Sequence, residues 1–271
     1  MHIDIQFVPS PPKPNLLSKR AAVVIDVLRA TSTMVQAMSQ GALEIIPVAT
    51  VEEAFQMAKV FPRSSIILGG ERESKKIQGF DLGNSPKEYV MEKVKGKKLI
   101  LTTTNGTKAF HLISSGKEIL AGSFFNIGAV AKRCLELDRD LLIFPSGDGK
   151  NFSLEDTVCG GMLIQLITKK GKNPIVLTDA SQCAQILYQR FEANVIEAFH
   201  LSHHGKELIN RGFEEDLAYC ARIDITDIVP EFKDGVIRVP LIPSSPHSLP
   251  AGRQEEKGRV RGNRRGKDYA T

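Results

Sequence analysis

The chain has 271 residues, 42% of them hydrophobic and 25% charged, enough to bury the core of one large domain or two small ones. Its net charge of +5 does not imply a polyanionic partner, because residues 244–271 hold seven basic against three acidic side chains, which leaves 29 against 28 in residues 1–243. The four cysteines show no C-x-x-C pair or zinc-ligand spacing, no apolar run approaches the ~20 residues that cross a bilayer, and Met1-His2-Ile3-Asp4 is no export signal, so the expectation is a reduced, cytoplasmic protein.

Short β-branched runs alternate with longer stretches of helical period, the pattern of an α/β protein whose helices pack on a largely parallel sheet. In chain order, strands are expected at 3–7, 21–26, 44–48, 65–68, 98–101, 118–121, 141–144 and 174–177, with helices after most of them. Thr50-Val51-Glu52-Glu53 reads as a capping box, Thr50 bonding the third helical amide and Glu53 reaching back. From Ser181 to Arg222 the pattern is helical almost throughout, so the C-terminal half is helix-rich and supplies a layer or cap. Beyond Val239, Pro240-Leu241-Ile242-Pro243 breaks regular structure, and the remaining residues are rich in Gly, Arg and Lys. The expected organisation is a functional domain over 1–243, as one body or two α/β subdomains, and a basic, disordered tail over 244–271.

Four strand ends are loaded with polar residues, at the place where open α/β sheets bind ligands and helix N-termini meet anions. After Val23-Val24-Ile25 come Asp26, Arg29, Thr31, Ser32 and Thr33. They offer a hard oxygen for magnesium, a guanidinium for bidentate phosphate binding, and hydroxyls that cap a helix or donate to an anion. After Ile66-Ile67-Leu68 come Gly69-Gly70-Glu71-Arg72, and then residues 79–86, where Asn84-Ser85-Pro86 signals a helix start. After Leu101, the run Thr102-Thr103-Thr104-Asn105-Gly106-Thr107 forms a cradle of short donors suited to a phosphate or sulfonate, and it lacks the Walker A order. After Phe144, Ser153 is set to cap a helix whose first turn carries Glu155 and Asp156, either as acids that complement the helix dipole or as a magnesium pair. Gly160-Gly161 in that helix costs about 2 kcal/mol relative to two alanines, so a packing or ligand reason is expected. His111, His203 and His204 have no partner at metal spacing, and all six histidines are read as structural or exposed; Cys159 is read as core.

Five of these segments, residues 26–33, 70–72, 79–86, 102–107 and 153–156, resemble in order and spacing the signature segments of the 2-phosphosulfolactate phosphatase (ComB-like) family, a likeness that runs from about residue 3 to residue 240. The resemblance implies a three-layer α/β/α fold with a mostly parallel or mixed sheet, and a magnesium requirement. It also implies hydrolysis of (R)-2-phospho-3-sulfolactate to 3-sulfolactate and phosphate, a step of coenzyme M synthesis.

A phosphatase must neutralise charge on the phosphoryl group, orient a nucleophile and stabilise the leaving oxygen. The expected assignment gives Mg2+ to a subset of Asp26, Glu71, Glu155 and Asp156, and the phosphoryl oxygens to Arg29, Arg72 and the loop of Thr103, Thr104, Asn105, Gly106 and Thr107. Thr31, Ser32, Asn84 and Ser85 are further expected contacts, with Asp26, Arg29, Arg72 and Asn105 as the catalytic set. Water and the Asp26 carboxylate both stay open as nucleophile, and Asp26-Val27-Leu28 lacks the Asp-x-Asp pair of a haloacid-dehalogenase type site. The alternatives are a phosphatase of another small 2-phospho-hydroxyacid, or a non-catalytic phosphate or sulfonate binder, against which the several carboxylates argue. The expected partner is a small anionic phosphomonoester, with no nucleic acid and no membrane; a homodimer stays open as the assembly.

Overall fold

All eight strand runs appear as strands within a few residues of their expected bounds. The computed structural model describes residues 1–12 and 17–240, and the expected tail over 244–271 lies outside them. The strands are β1 His2–Ile5, β2 Arg20–Ile25, β3 Glu44–Pro47, β4 Ile66–Arg72, β5 Lys75–Lys76, β6 Lys98–Thr102, β7 Glu118–Gly122, β8 Asp140–Pro145, β9 Val176–Leu177, β10 Glu231–Lys233 and β11 Val236–Arg238. The helices are α1 Ala30–Ser39, α2 Val51–Ala58, α3 Met91–Val94, α4 Gly106–Leu112, α5 Ile127–Leu137, α6 Leu154–Lys170, α7 Asp179–Phe191, α8 Ile196–Leu201, α9 His203–Asn210 and α10 Glu214–Cys220. Among the described residues no helix is long and apolar enough to cross a membrane.

The strands form one sheet in the order β5-β4-β6-β3-β11-β10-β7-β2-β8-β1-β9. β4, β6 and β3 run parallel to one another, as do β7, β2, β8, β1 and β9. The β10–β11 hairpin joins the two blocks through antiparallel pairings to β7 and β3, so the sheet is mixed. That hairpin was absent from the expected strands, although Asp234-Gly235, both at positive φ, is a strong two-residue hairpin signal. Only Phe232 and Ile237 of its strands are fully buried, too short an alternation to stand out by eye.

Helices cover both faces, giving the expected three layers. Ala21, Val23 and Ile25 of β2 pack with Val130, Leu163 and Ala184 of α5, α6 and α7, whereas Ala22 and Val24 pack with Met34 of α1 and Phe110 of α4. Each of the larger of these side chains, Val, Ile, Leu, Met or Phe, contributes roughly 1.5–3 kcal/mol. The Gly161 question resolves as packing: a Cβ there would stand 2.0 Å from Ala184 O, so the missing side chain lets α6 lie against α7.

One local expectation is corrected and another gains detail. Thr50 Oγ1 accepts from Glu53 N at 3.1 Å as expected, but Glu53 Oε2 accepts from Ala49 N at 2.8 Å, one residue further back than a capping box requires. The stretch from Ser181 to Arg222 is helical almost throughout as expected, divided into α7 to α10 by short breaks at 192–195, at Ser202 and at 211–213; Ser202 caps α9 through Gly205 N. Those breaks turn α9 and α10 back across the sheet toward the carboxyl end of β2.

Candidate active site

Beyond Ile25 the chain turns on its own hydrogen bonds. Asp26 N donates to Thr31 Oγ1 and Thr31 Oγ1 donates back to Asp26 O, both at 2.9 Å, while Ser32 Oγ donates to Val27 O at 2.9 Å. The hydroxyls of Thr31 and Ser32 thus build the turn. Thr33 Oγ1 donates to Asn84 O at 2.7 Å and ties the turn to the segment 79–86. Asp26 and Arg29, by contrast, reach the wall of a cleft of about 380 Å³. The Leu28–Arg29 peptide between them is cis.

Strand ends from both blocks meet at this cleft: Glu71 and Arg72 close β4, Thr103 to Asn105 follow β6, and Asp148 follows β8. β4 can approach β6 here because Gly70, at φ +142°, would carry any Cβ to 2.0 Å from Thr102 O. Glu71 spends its carboxylate on amides of the chain itself, Ser74 N at 2.9 Å and Thr104 N at 2.7 Å. Arg72 bonds Glu71 O, Ala49 O and Thr102 Oγ1. Thr103 N donates to Thr107 Oγ1 and Thr107 N to Thr103 Oγ1, so much of the expected cradle closes on itself. Asn105 Oδ1 accepts from Gly149 N at 3.2 Å and joins the ends of β6 and β8.

Of the expected residues, Asp26, Arg29, Glu71, Arg72, Asn84, Thr103, Thr104 and Asn105 line the cleft. Thr31, Ser32, Ser85 and Thr107 are buried behind it, bonded to the protein, and Gly106 packs against Asp26.

The far wall comes from α9, α10 and the link between them. Arg29 forms a buried ion pair with Asp216 at 2.7 Å, Ser85 Oγ donates to the other oxygen of Asp216 at 2.6 Å, and the Arg29 guanidinium lies 4.4 Å from the Phe213 ring centroid. His204, Glu207 and Arg211 line the cleft, with His204 Nδ1 3.6 Å from Glu207 Oε2 and Arg211 donating to Glu207 Oε1 at 2.6 Å. His204, read from the sequence as structural or exposed, is partly exposed, faces Glu207 and stands on the cleft wall. Its neighbour fits that reading better: His203 is exposed and bonds Asp148 at 2.7 Å. Residues 203–216 carry no strand-end pattern, and only tertiary folding brings them to Asp26.

Beneath the cleft floor lie Glu155 and Asp156. Ser153 caps α6 as expected, accepting from Asp156 N, and Asp156 Oδ1 accepts from Val27 N at 2.8 Å, which sets Asp156 beside the Asp26 turn. Burial pushes the carboxyls of Asp26, Glu155 and Asp156 upward. At Asp156 the charges of Asp26 and Glu155 push the same way, well above the usual carboxylate range. At Asp26, His204 and hydrogen bonds from Ser146 and Ala30 pull back in part.

Among the described residues no three His, Cys, Asp or Glu side chains converge into a ready ligand set. Magnesium, however, takes one or two carboxylates and keeps several waters, so its fit is decided by donor chemistry. The donors are hard oxygens, mutually repelling and desolvated, and on the cleft wall Asn84 Oδ1 is buried without a hydrogen-bond partner among the described residues. Five carboxylates line the cleft against three guanidiniums, so an anionic ligand enters favourably only with a cation. The residues fit magnesium. A larger hollow, about 590 Å³, lies at the amino ends of β1, β8 and β9 between Lys132, Asp138 and Lys170, and gathers no comparable group.

Comparison with known proteins gives one consistent answer. The model of a family described as 2-phosphosulpholactate phosphatase matches residues 7–235. A protein of Clostridium novyi named "Probable 2-phosphosulfolactate phosphatase" is 43% identical over 233 residues, covering 86% of this chain and 97% of that one. One of the same name from Carboxydothermus hydrogenoformans is 42% identical over 85% of this chain and 93% of its own length. Another, from Caldanaerobacter subterraneus, is 40% identical over 82% of this chain and 91% of its own.

Proposed function

The chain belongs to the 2-phosphosulpholactate phosphatase family, and from that premise we propose that its cleft hydrolyses (R)-2-phospho-3-sulfolactate to 3-sulfolactate and phosphate with the help of magnesium, in the cytoplasm. The observation that carries this reading is the meeting of Asp26 and Arg29, three residues apart on one turn, with a buried carboxylate pair on one side and the unpartnered Asn84 Oδ1 on the other.

Asp26 and Asp156, supported by Glu155 and Asn84 Oδ1, are the groups that would hold the ion. When bound, magnesium supplies positive charge against the phosphoryl oxygens in a site otherwise rich in carboxylates. The protein's own groups do the rest. Arg29 has two of its five N–H donors committed, to Asp216 and to Ser74 O, which leaves three for the phosphoryl group in a plane fixed by the Phe213 stack. Thr104 and the Asn105 side chain, on the opposite lip, add neutral donors. Water attacks phosphorus, the bond from phosphorus to the substrate's C2 oxygen breaks, His204 delivers a proton to that leaving oxygen, and the proton that the attacking water sheds restores the imidazolium. Glu71, saturated by the amides of Ser74 and Thr104, holds the β4 and β6 ends at fixed spacing.

Phosphate release from 2-phosphosulfolactate, measured with magnesium and with EDTA, tests the reading. The expected result is magnesium-dependent release, weaker for other 2-phospho-hydroxyacids. A rate no higher than that of the EDTA control on all of them overturns it.

A further inference from the structure

The cleft holds a second cationic group that the phosphoryl assignment does not use. β4 and β5 are joined by the two-residue turn Glu73-Ser74, in which both residues have positive φ (51° and 62°) though neither is glycine. Such a turn is strained for side chains larger than glycine and persists where its surroundings fix it. Here Ser74 N donates to Glu71 Oε2, Arg29 donates to Ser74 O at 3.0 Å, and Arg211 donates to Glu73 O at 2.6 Å. Two arginines far apart in sequence are thereby docked on successive carbonyls. Both also line the one cleft of about 380 Å³, so the two guanidiniums stand within reach of one small molecule.

Their surroundings differ in a way that divides the work. Arg29 is sealed, with 2% of its side chain exposed, and stands three residues from Asp26; Arg211 is 27% exposed. Among the described residues Arg211 bonds Glu73 O and Glu207 Oε1, which leaves three of its five N–H donors without a partner there. Arg72, the remaining guanidinium on the cleft wall, has three donors taken by the chain's own oxygens. Building on the phosphatase reading, we propose that Arg211 is the specificity-determining residue for the substrate's second acidic group. It receives the sulfonate or carboxylate of a small phosphomonoester while the phosphoryl group sits toward Arg29 and Asp26. Glu207 is the positioning residue that holds the guanidinium plane. The favoured substrate class is a short phosphomonoester carrying another anion within a few bonds of the ester oxygen.

The test compares Arg211→Gln and Arg211→Lys with the unaltered protein on 2-phosphosulfolactate and on p-nitrophenyl phosphate, which has no second anion, with melting curves for every protein. Arg211→Gln is expected to raise KM for 2-phosphosulfolactate about 30-fold and leave KM for p-nitrophenyl phosphate within about twofold. Arg211→Lys should fall between, because a point charge replaces the planar fork. Equal losses on both substrates, or none on either, overturn the proposal. Calorimetric binding of the product 3-sulfolactate with magnesium present decides the matter without turnover: affinity about 30-fold weaker in folded Arg211→Gln, with Arg211→Lys in between, supports it, and unchanged affinity in Arg211→Gln or no binding by the unaltered protein overturns it. Normal binding with no phosphate release by the unaltered protein would end the phosphatase reading and leave Arg211 tested.

Discussion

Two buried carboxylates, Glu44 on a strand and Asp156 on a helix, show opposite electrostatics in one protein. Glu44, at the start of β3, is 6% exposed, and Lys98 bonds one of its oxygens at 2.5 Å while Arg238 of β11 binds the other through Nε at 2.8 Å and a second nitrogen. Burial alone would raise its pKa, but these two cations outweigh that and hold it below the usual value. Asp156 is 3% exposed and faces Asp26 and Glu155 in place of cations, so burial and like charge both push it up. Glu44 is complete within the chain and fastens the hairpin β10–β11 to β3. The Asp156 cluster has no such cations, and in the proposed function a divalent cation would fill that role.

The sharpest way to break this contrast is to remove charge without shape at each place. Asp26→Asn and Asp156→Asn are expected to lower phosphate release at least 100-fold, with the melting temperature in EDTA unchanged or higher, since relieving like-charge repulsion stabilises the apo-protein. Glu155→Gln should follow them in direction. If Glu155 and Asp156 only complemented the α6 dipole, each change would instead cost about 0.3–1 kcal/mol and spare turnover. Glu44→Gln should do the reverse of the Asp156 change, leaving turnover intact and costing about 1–2 kcal/mol, or roughly 2–8 °C of Tm. Equal behaviour of the two sites in paired activity and melting assays would dissolve the comparison.

A pH series sharpens it. For Asp156, whose folded pKa is raised, the folded protein keeps a proton that the unfolded chain gives up. No stability is lost on its account below the unfolded value of 3.8, and stability falls as pH rises from there toward the folded value. For Glu44, whose folded pKa is lowered, the stabilising contribution is present above 4.5 and disappears as pH falls through the folded value. Melting curves in EDTA from pH 3.5 to 8 should therefore show the gain from Asp156→Asn growing with pH and the loss from Glu44→Gln shrinking toward acid. Parallel pH trends for the two variants would contradict the assigned causes.

What could be read in advance divides along the same line between local and tertiary information. The eight long apolar runs announced their strands, and the polar residues at four strand ends announced the cleft, because both signals lie within a dozen consecutive residues. Composition could not say which way a hydroxyl turns: Thr31, Ser32 and Thr107 look like anion donors and are spent on backbone oxygens inside the protein. Nor could it reveal His204, Arg211 and Asp216, whose place depends on helix breaks after Phe191, Leu201 and Asn210. Of the distant partners, Asp216 is bound to segments that were recognised, Arg29 and Ser85, and no spacing rule connects them.

The smallest expected effect is local. Ser153→Ala removes the cap that Asp156 N uses and should cost about 1 kcal/mol, seen in denaturant midpoints, with a modest rise in the magnesium needed for turnover because the cap also seats Asp156.

The central claim, that the Asp26 and Asp156 carboxylates are kept buried and repelling for a divalent cation, is tested most directly by titrating magnesium calorimetrically into EDTA-stripped protein and into its Asp156→Asn variant. A saturable single-site isotherm in the unaltered protein that is lost or weakened at least tenfold in the variant is the predicted result. Identical isotherms in both, or no binding by the unaltered protein, would contradict it.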